Sequence, residues 1–171
     1  PVFQKEIGFY VFSLTFQHFI RGWLLGALII TLIGSVGIYF LSSAVQRLRF
    51  YSARPVLAHI AGLVIAILSL FAWNYQLGIW ELVFSERGVV FGAGYADMHA
   101  KLPAQWILFA VVLIVVGIIL VSVLRRNLRW SLYGIGGWIV AAIVVGGIFP
   151  ALVQRFQVEP SELAREMPYI E

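Results

Sequence analysis

Four stretches of this sequence, residues 22–43, 58–77, 105–124 and 131–153, run for twenty residues or more without Asp, Glu, Lys or Arg. At a rise of 1.5 Å per residue, a helix of about twenty residues crosses the roughly 30 Å hydrocarbon core of a bilayer. A backbone in lipid has no water to bond, so it must satisfy itself within a helix or a closed barrel. Barrel strands alternate apolar and polar residues over about ten positions. These runs are apolar without alternation, so they predict four transmembrane helices. Only 12% of the residues are charged and 61% are hydrophobic. That is about half the charged share of an ordinary soluble domain. The fold class expected is therefore all-α integral membrane, with residues 1–171 as a single transmembrane unit.

The charges sort by alternate connections. Residues 44–57 and 125–130 carry Arg47, Arg49, Arg54, Arg125, Arg126 and Arg129, half of the twelve Lys and Arg residues, and no acid. All eight carboxylates lie before the first run, between the second and third, or after the fourth. Short basic loops are retained on the cytoplasmic side, while acids weigh little in that rule. The expected threading places both Arg-bearing turns inside the plasma (inner) membrane. The N-terminal segment, an outer loop over 78–104 and a tail over 154–171 then face out. The sequence begins at Pro1, with no initiating Met and no signal-peptide pattern. An exported N-terminal segment therefore leads us to expect a fragment of a larger protein, with at least one earlier span.

Outside the runs, Phe9, Phe12, Phe16, Phe19 and Trp23 recur at spacings of 3 and 4, the period of one helix face. They predict an amphipathic helix over 8–20, lying at the outer interface where aromatic rings are favoured. The plainer reading extends the first span and packs these rings on neighbouring helices. Between Glu81 and Pro103, Val83–Phe84 and Val89–Phe91 flank Ser85-Glu86-Arg87-Gly88. That pattern suits a short hairpin or an irregular loop. Gly22, Gly26, Gly34 and Gly37 in the first run, and Gly134, Gly136, Gly137, Gly146 and Gly147 in the fourth, predict close helix packing. Small residues let backbones approach where lipid supplies no hydrophobic drive. Pro150 predicts a kink near the end of the fourth run.

Few residues suggest chemistry. His59 is the one ionisable side chain inside the four runs, whereas carriers generally place such groups within the membrane. Ser69, Asn74 and Gln76 are expected to bond between helices. Asp97 and His99 with Glu81 or Glu86 would make a carboxylate–imidazole metal set, but no third ligand is fixed by spacing. Ser85 lies in no nucleophile elbow, and Gly92-Ala93-Gly94 is too short for a phosphate-binding fingerprint. The chain has no Cys, which removes thiolate sites and disulfides. We assign no catalytic, cofactor-binding or metal residues from the sequence. The expected partners are the lipid bilayer and other membrane helices or subunits. Nucleic acid is not among them, because the net charge of +4 comes from residues beside apolar runs, where topology and headgroups account for it.

Three segments carry a resemblance: Ile7–Phe16, Glu81–Pro103, and Gly146–Phe156 continuing through Pro160 to Pro168-Tyr169-Ile170. In order and spacing the sequence resembles the bacterial uncharacterised protein family 0182, departing from its pattern at Thr15 and Met167. The resemblance implies a large multi-pass protein with about seven N-terminal spans and a long extracytoplasmic region. This chain would then be the last four of those spans. No reaction comes with the resemblance. The leading expectation is an anchoring and assembly module without enzymatic activity. One alternative is part of a transporter or lipid-handling permease whose ionisable groups lie in other spans. A weaker one is an outer-surface enzyme using Glu86, Asp97 and His99.

Overall fold

A computed structural model describes residues 8–46, 54–82, 97–125, 127–153 and 155–156. Among them there is no strand. Helix α1 covers Thr15–Gln46 and follows a π-helical stretch at Phe9–Leu14. Helix α2 covers Arg54–Glu81, and α3 covers Leu102–Arg125 after a π-helical turn at Asp97–Lys101. Helix α4 covers Arg129–Ile143, and a π stretch at Val144–Ile148 joins it to α5 at Phe149–Val153. Four helical runs, Phe12–Ala44, Arg54–Glu81, Asp97–Arg125 and Arg129–Val153, are long and apolar enough to cross a membrane. Each of the four expected apolar stretches falls within one of these helical runs.

Proline marks where the helices begin. Pro55, Pro103 and Pro150 are each the second residue of their helix. At Pro55 the missing N–H is one the first turn does not need. Pro103 and Pro150 have helix on both sides, so in a regular α-helix each ring would press on the carbonyl one turn back. Each follows a π-helical stretch, Asp97–Lys101 and Val144–Ile148, where the bonding departs from the regular α pattern.

Helix α3 lies at the centre. Ala104, Leu108, Val112, Val115, Ile119 and Ser122 are buried at spacings of 4 and 3, one continuous stripe. The stripe packs with Leu68, Ala72 and Tyr75 of α2 to form the core, flanked by Phe71, Ile135, Trp138 and Val145. The Trp138 indole N–H donates to the Tyr75 hydroxyl at 3.2 Å, and the Trp138 and Phe71 rings meet edge-on at 4.8 Å. These contacts draw α2, α3 and α4 into a three-helix cluster. Helix α1 packs on the flank of α2.

Two expectations meet the structure here. Residues 8–20 are helical and run into the first long helix without a turn, while Phe12, Phe16, Phe19 and Trp23 stay exposed rather than packing on neighbouring helices of this chain. No helix breaker interrupts 15–22, and Arg21, at the join, is held within the helix pair. The glycine expectation divides. A side chain at Gly78 would meet the Gln105 amide at 2.9 Å, and one at Gly146 would meet Leu108 at 2.9 Å. Gly22, Gly26, Gly34 and Gly37 have nothing within 4 Å, so the α1 glycines face no helix of this chain. The expected hairpin over 83–91 and the tail beyond 156 lie outside the described residues.

In lipid the helices gain little from apolar transfer, so a core truncation costs mainly lost packing. Leu108→Ala, at a buried site, is expected to lower stability by about 1–3 kcal/mol. Leu120→Ala, on the exposed side of the same helix, is expected to change it by less than about 0.5 kcal/mol. Denaturant titration of the purified protein in mixed micelles compares the two, and equal effects would contradict this packing.

Candidate functional site

Antiparallel neighbours bring the start of α1, the end of α2, the start of α3 and α5 to one end of the bundle. The polar side chains of the helices gather there in pairs. His18 Nε2 lies 3.0 Å from Glu81 Oε1, in ion-pair range but not aligned as a hydrogen bond. One helical turn deeper, an Arg21 Nη1 N–H donates to Asn74 Oδ1. Lys101 Nζ sits 4.0 Å from Asp97 Oδ1, four residues earlier on the same helical run. Phe9 stacks edge-on against Trp80 at 5.2 Å, adding an aromatic contact between α2 and the turn before α1.

The Arg21 contact is the most consequential. An arginine inside an apolar helix pair is costly unless its donors are met, and here its partner is a neutral amide. The Arg21 Nε, also buried, has no hydrogen-bond partner. Asn74 was expected to bond between helices, and it does. Arg21 was placed one residue outside the first span, so its inward role was missed. The available signal was its position on the side of the helix away from Phe16, Phe19 and Trp23. Ser69 behaves differently from expectation: its hydroxyl donates to the Ile65 carbonyl of its own helix at 2.9 Å. A short side chain reaches that acceptor without help from a neighbour.

A small cavity of about 200 Å³ lies between α3 and the π stretch, lined by Lys101, Gln105, Leu108, Gly146, Gly147 and Pro150 among others. Pro150 offers no N–H to the turn before it. Gln105 Oε1 is buried without a partner.

At the opposite end the Tyr39 hydroxyl and His59 Nδ1 are hydrogen-bonded at 2.8 Å, joining α1 to α2 a second time. Arg54, Arg125 and Arg129 are exposed at this end, and both described carboxylates, Glu81 and Asp97, are at the other. The sequence's candidate metal set does not assemble among the described residues, where no group of three His, Asp or Glu side chains is placed to hold an ion. Asp97 is only 3% exposed, His99 is exposed, and Glu81 is turned toward His18. Ser85 and Glu86 lie outside the described residues. Among the described residues, the arrangement clamps helices together through paired polar groups.

Removing the Arg21 acceptor leaves a cation between apolar helices. Asn74→Leu is expected to destabilise the protein by about 1–2 kcal/mol, whereas Asn74→Asp, which keeps an acceptor for the guanidinium, stays near the parent. Micellar unfolding curves for the two variants report this, and a neutral Asn74→Leu contradicts the role given to Arg21.

The model of an uncharacterised protein family, UPF0182, matches residues 1–171. A UPF0182 protein of Frankia alni is 38% identical over 174 residues, covering 100% of this chain and 17% of that protein. One from Desulforamulus reducens is 37% identical over 175 residues, covering 99% of this chain and 18% of that protein. One from Trichodesmium erythraeum is 36% identical over 173 residues, covering 99% and 19%. The chain thus spans less than a fifth of the length of these relatives. No solved structure matches it. On the whole-length family match and the relatives' identity, in agreement with the motifs at Glu81–Pro103 and Gly146–Phe156, the chain belongs to the UPF0182 family.

Proposed function

We propose that these helices form an anchoring and assembly module in the bacterial plasma membrane, with the outer face of α1 as the surface on which further helices dock. One observation carries this reading. At 100° per residue, Gly22, Gly26, Gly34 and Gly37 fall within an arc of roughly 120° that also holds Phe16, Phe19, Trp23, Ile30 and Ile33. Those five large side chains are 60–73% exposed. Arg21 and Tyr39, which contact α2, occupy the opposite side of α1. Glycine notches beside large apolar knobs suit close helix–helix packing. A surface that faces only lipid has no use for the glycine notches.

The relatives' greater length supports this reading, because they extend well beyond the matched region. In the proposed setting the Arg-bearing turns face the cytoplasm. Both ends of the chain and the Val83–Ala96 loop face outward, and the aromatic stripe from Phe12 to Trp23 sits at the outer headgroup level. The paired polar side chains below it hold α1 on α2, so that the free face is presented rigidly.

The test exploits the openness around the glycines. Within this chain a side chain at Gly26 or Gly34 strikes nothing. Gly26→Leu and Gly34→Leu in the full-length protein are nevertheless expected to lower its unfolding midpoint or strip bound subunits during purification. Gly136→Leu, equally open in this chain but on α4, is expected to do neither. If the α1 variants match the parent in both readouts, α1 faces lipid and the assembly reading fails.

A further inference from the structure

An open groove of about 640 Å³ runs along α3 to the α3–α4 turn at the Arg-bearing end. Its floor is one face of α3. Ile114, Gly117, Ile118, Val121 and Arg125 line it, and at 100° per residue they fall within an arc of roughly 100°. Apolar residues form the length of this strip, and a guanidinium ends it. The turn closes that end. The Asn127 N–H donates to the Ser122 carbonyl at 3.0 Å, and Asn127 Oδ1 accepts from the Arg129 N–H at 3.3 Å. The amide oxygen of Asn127 is thereby used, and its NH2 group is left over. Trp130, in the first turn of α4, completes the rim. Arg125 and Asn127 are exposed and Trp130 is 62% exposed. Among the described residues, neither the Arg125 guanidinium, the Asn127 NH2 nor the Trp130 indole N–H has a hydrogen-bond or ion-pair partner.

We propose that this groove holds one phospholipid, its phosphate bonded by Arg125, Asn127 and Trp130 and one acyl chain lying along α3 toward Ile114. The rim offers donors only: a guanidinium, an amide NH2 and an indole N–H. A phosphodiester is their complement, because its oxygens accept without donating. Planar guanidinium groups suit phosphate oxygens, and tryptophan is favoured at headgroup level. The groove also has the length of a lipid chain. Ile114 and Arg125 stand eleven positions apart, about 16 Å along the helix, close to one leaflet of a hydrocarbon core about 30 Å thick. A side chain at Gly117 would meet nothing within 4 Å, so an acyl chain can lie against the α3 backbone there. A helix seated in the groove would have to bring an acceptor to the rim, whereas every phospholipid carries one. Arg54 and Arg129 are exposed at the same end, and the described carboxylates, Glu81 and Asp97, are at the other. That field favours an anionic headgroup over a zwitterionic one, whose own cation it repels.

Binding here requires only that these helices lie in a bilayer, whatever docks on α1. Full-length protein in detergent is titrated with phosphatidylglycerol or phosphatidylcholine, and bound lipid is counted by native mass spectrometry. The parent is expected to hold phosphatidylglycerol about fivefold more tightly. Arg125→Gln is expected to weaken phosphatidylglycerol binding about tenfold. Trp130→Phe, which keeps a ring but removes the N–H, is expected to weaken it about threefold. Arg54→Gln removes a cation that does not line the groove, and is expected to stay within about twofold of the parent. Gly117→Leu fills the groove without striking the protein, so it is expected to abolish binding while the unfolding midpoint holds. Glycerol 3-phosphate at millimolar concentration is expected not to compete, because it lacks the chains. Equal losses in Arg125→Gln and Arg54→Gln would reduce the site to diffuse attraction by a basic surface and overturn the proposal. Full displacement by glycerol 3-phosphate overturns it too. So does unchanged lipid binding in Gly117→Leu, and release of subunits by that variant at the same time would mean that a helix fills the groove. Should Gly117→Leu fail to fold, Arg125→Gln and Trp130→Phe decide, and parental binding in both is contrary to the proposal.

Discussion

Hydrocarbon offers no hydrogen bonds, and nearly every feature of this chain follows from that. The backbone closes on itself as helices, and where it departs from the α pattern it does so in π stretches that stay helical. Side chains obey the same rule. Serine and threonine hydroxyls fold back on their own carbonyls, and the amide and guanidinium that lie among apolar helices find each other. Charge is driven to the ends, where His18, Glu81, Lys101 and Asp97 pair close to water.

The packing is uneven, and the unevenness has a cause. Helix α3 is buried along a full stripe because α2 and α4 flank it, with Tyr75 and Trp138 locking those two across it. Helix α1 packs mainly on α2, held by a polar pair near each end. Its glycines and aromatic residues therefore remain on the open side. In lipid, van der Waals fit and hydrogen bonds decide which helices associate. Two polar latches place α1, and its glycine-bearing face stays exposed in this chain.

Much of the fold was legible in the sequence because the signal is redundant. Four uncharged runs, sorted Arg residues and the proline positions each point to the same four helices, and Asn74 reads as a bonding residue because an amide in an apolar run needs a partner. The less legible features depend on which face a residue occupies. Residues 8–20 look like a separate interfacial helix by their aromatic period, yet the same period is equally that of an extended span, and only contact with α2 distinguishes them. Arg21 looked like an interfacial cation because charge ordinarily ends a span. Its pairing with Asn74 joins residues 53 positions apart, a separation that periodicity does not report.

The account depends above all on the two Arg-bearing turns sharing one side of the membrane, opposite the loop between α2 and α3. In the full-length protein, made cysteine-free if other regions supply any, single Cys residues replace Asn127 in the α3–α4 turn or Ser85 in the α2–α3 loop. Intact cells are then treated with a membrane-impermeant maleimide. The expected result is labelling at position 85 from outside and labelling at position 127 only after permeabilisation. Labelling of position 127 in intact cells, or equal access to both positions, would contradict the threading and the anchoring role built on it.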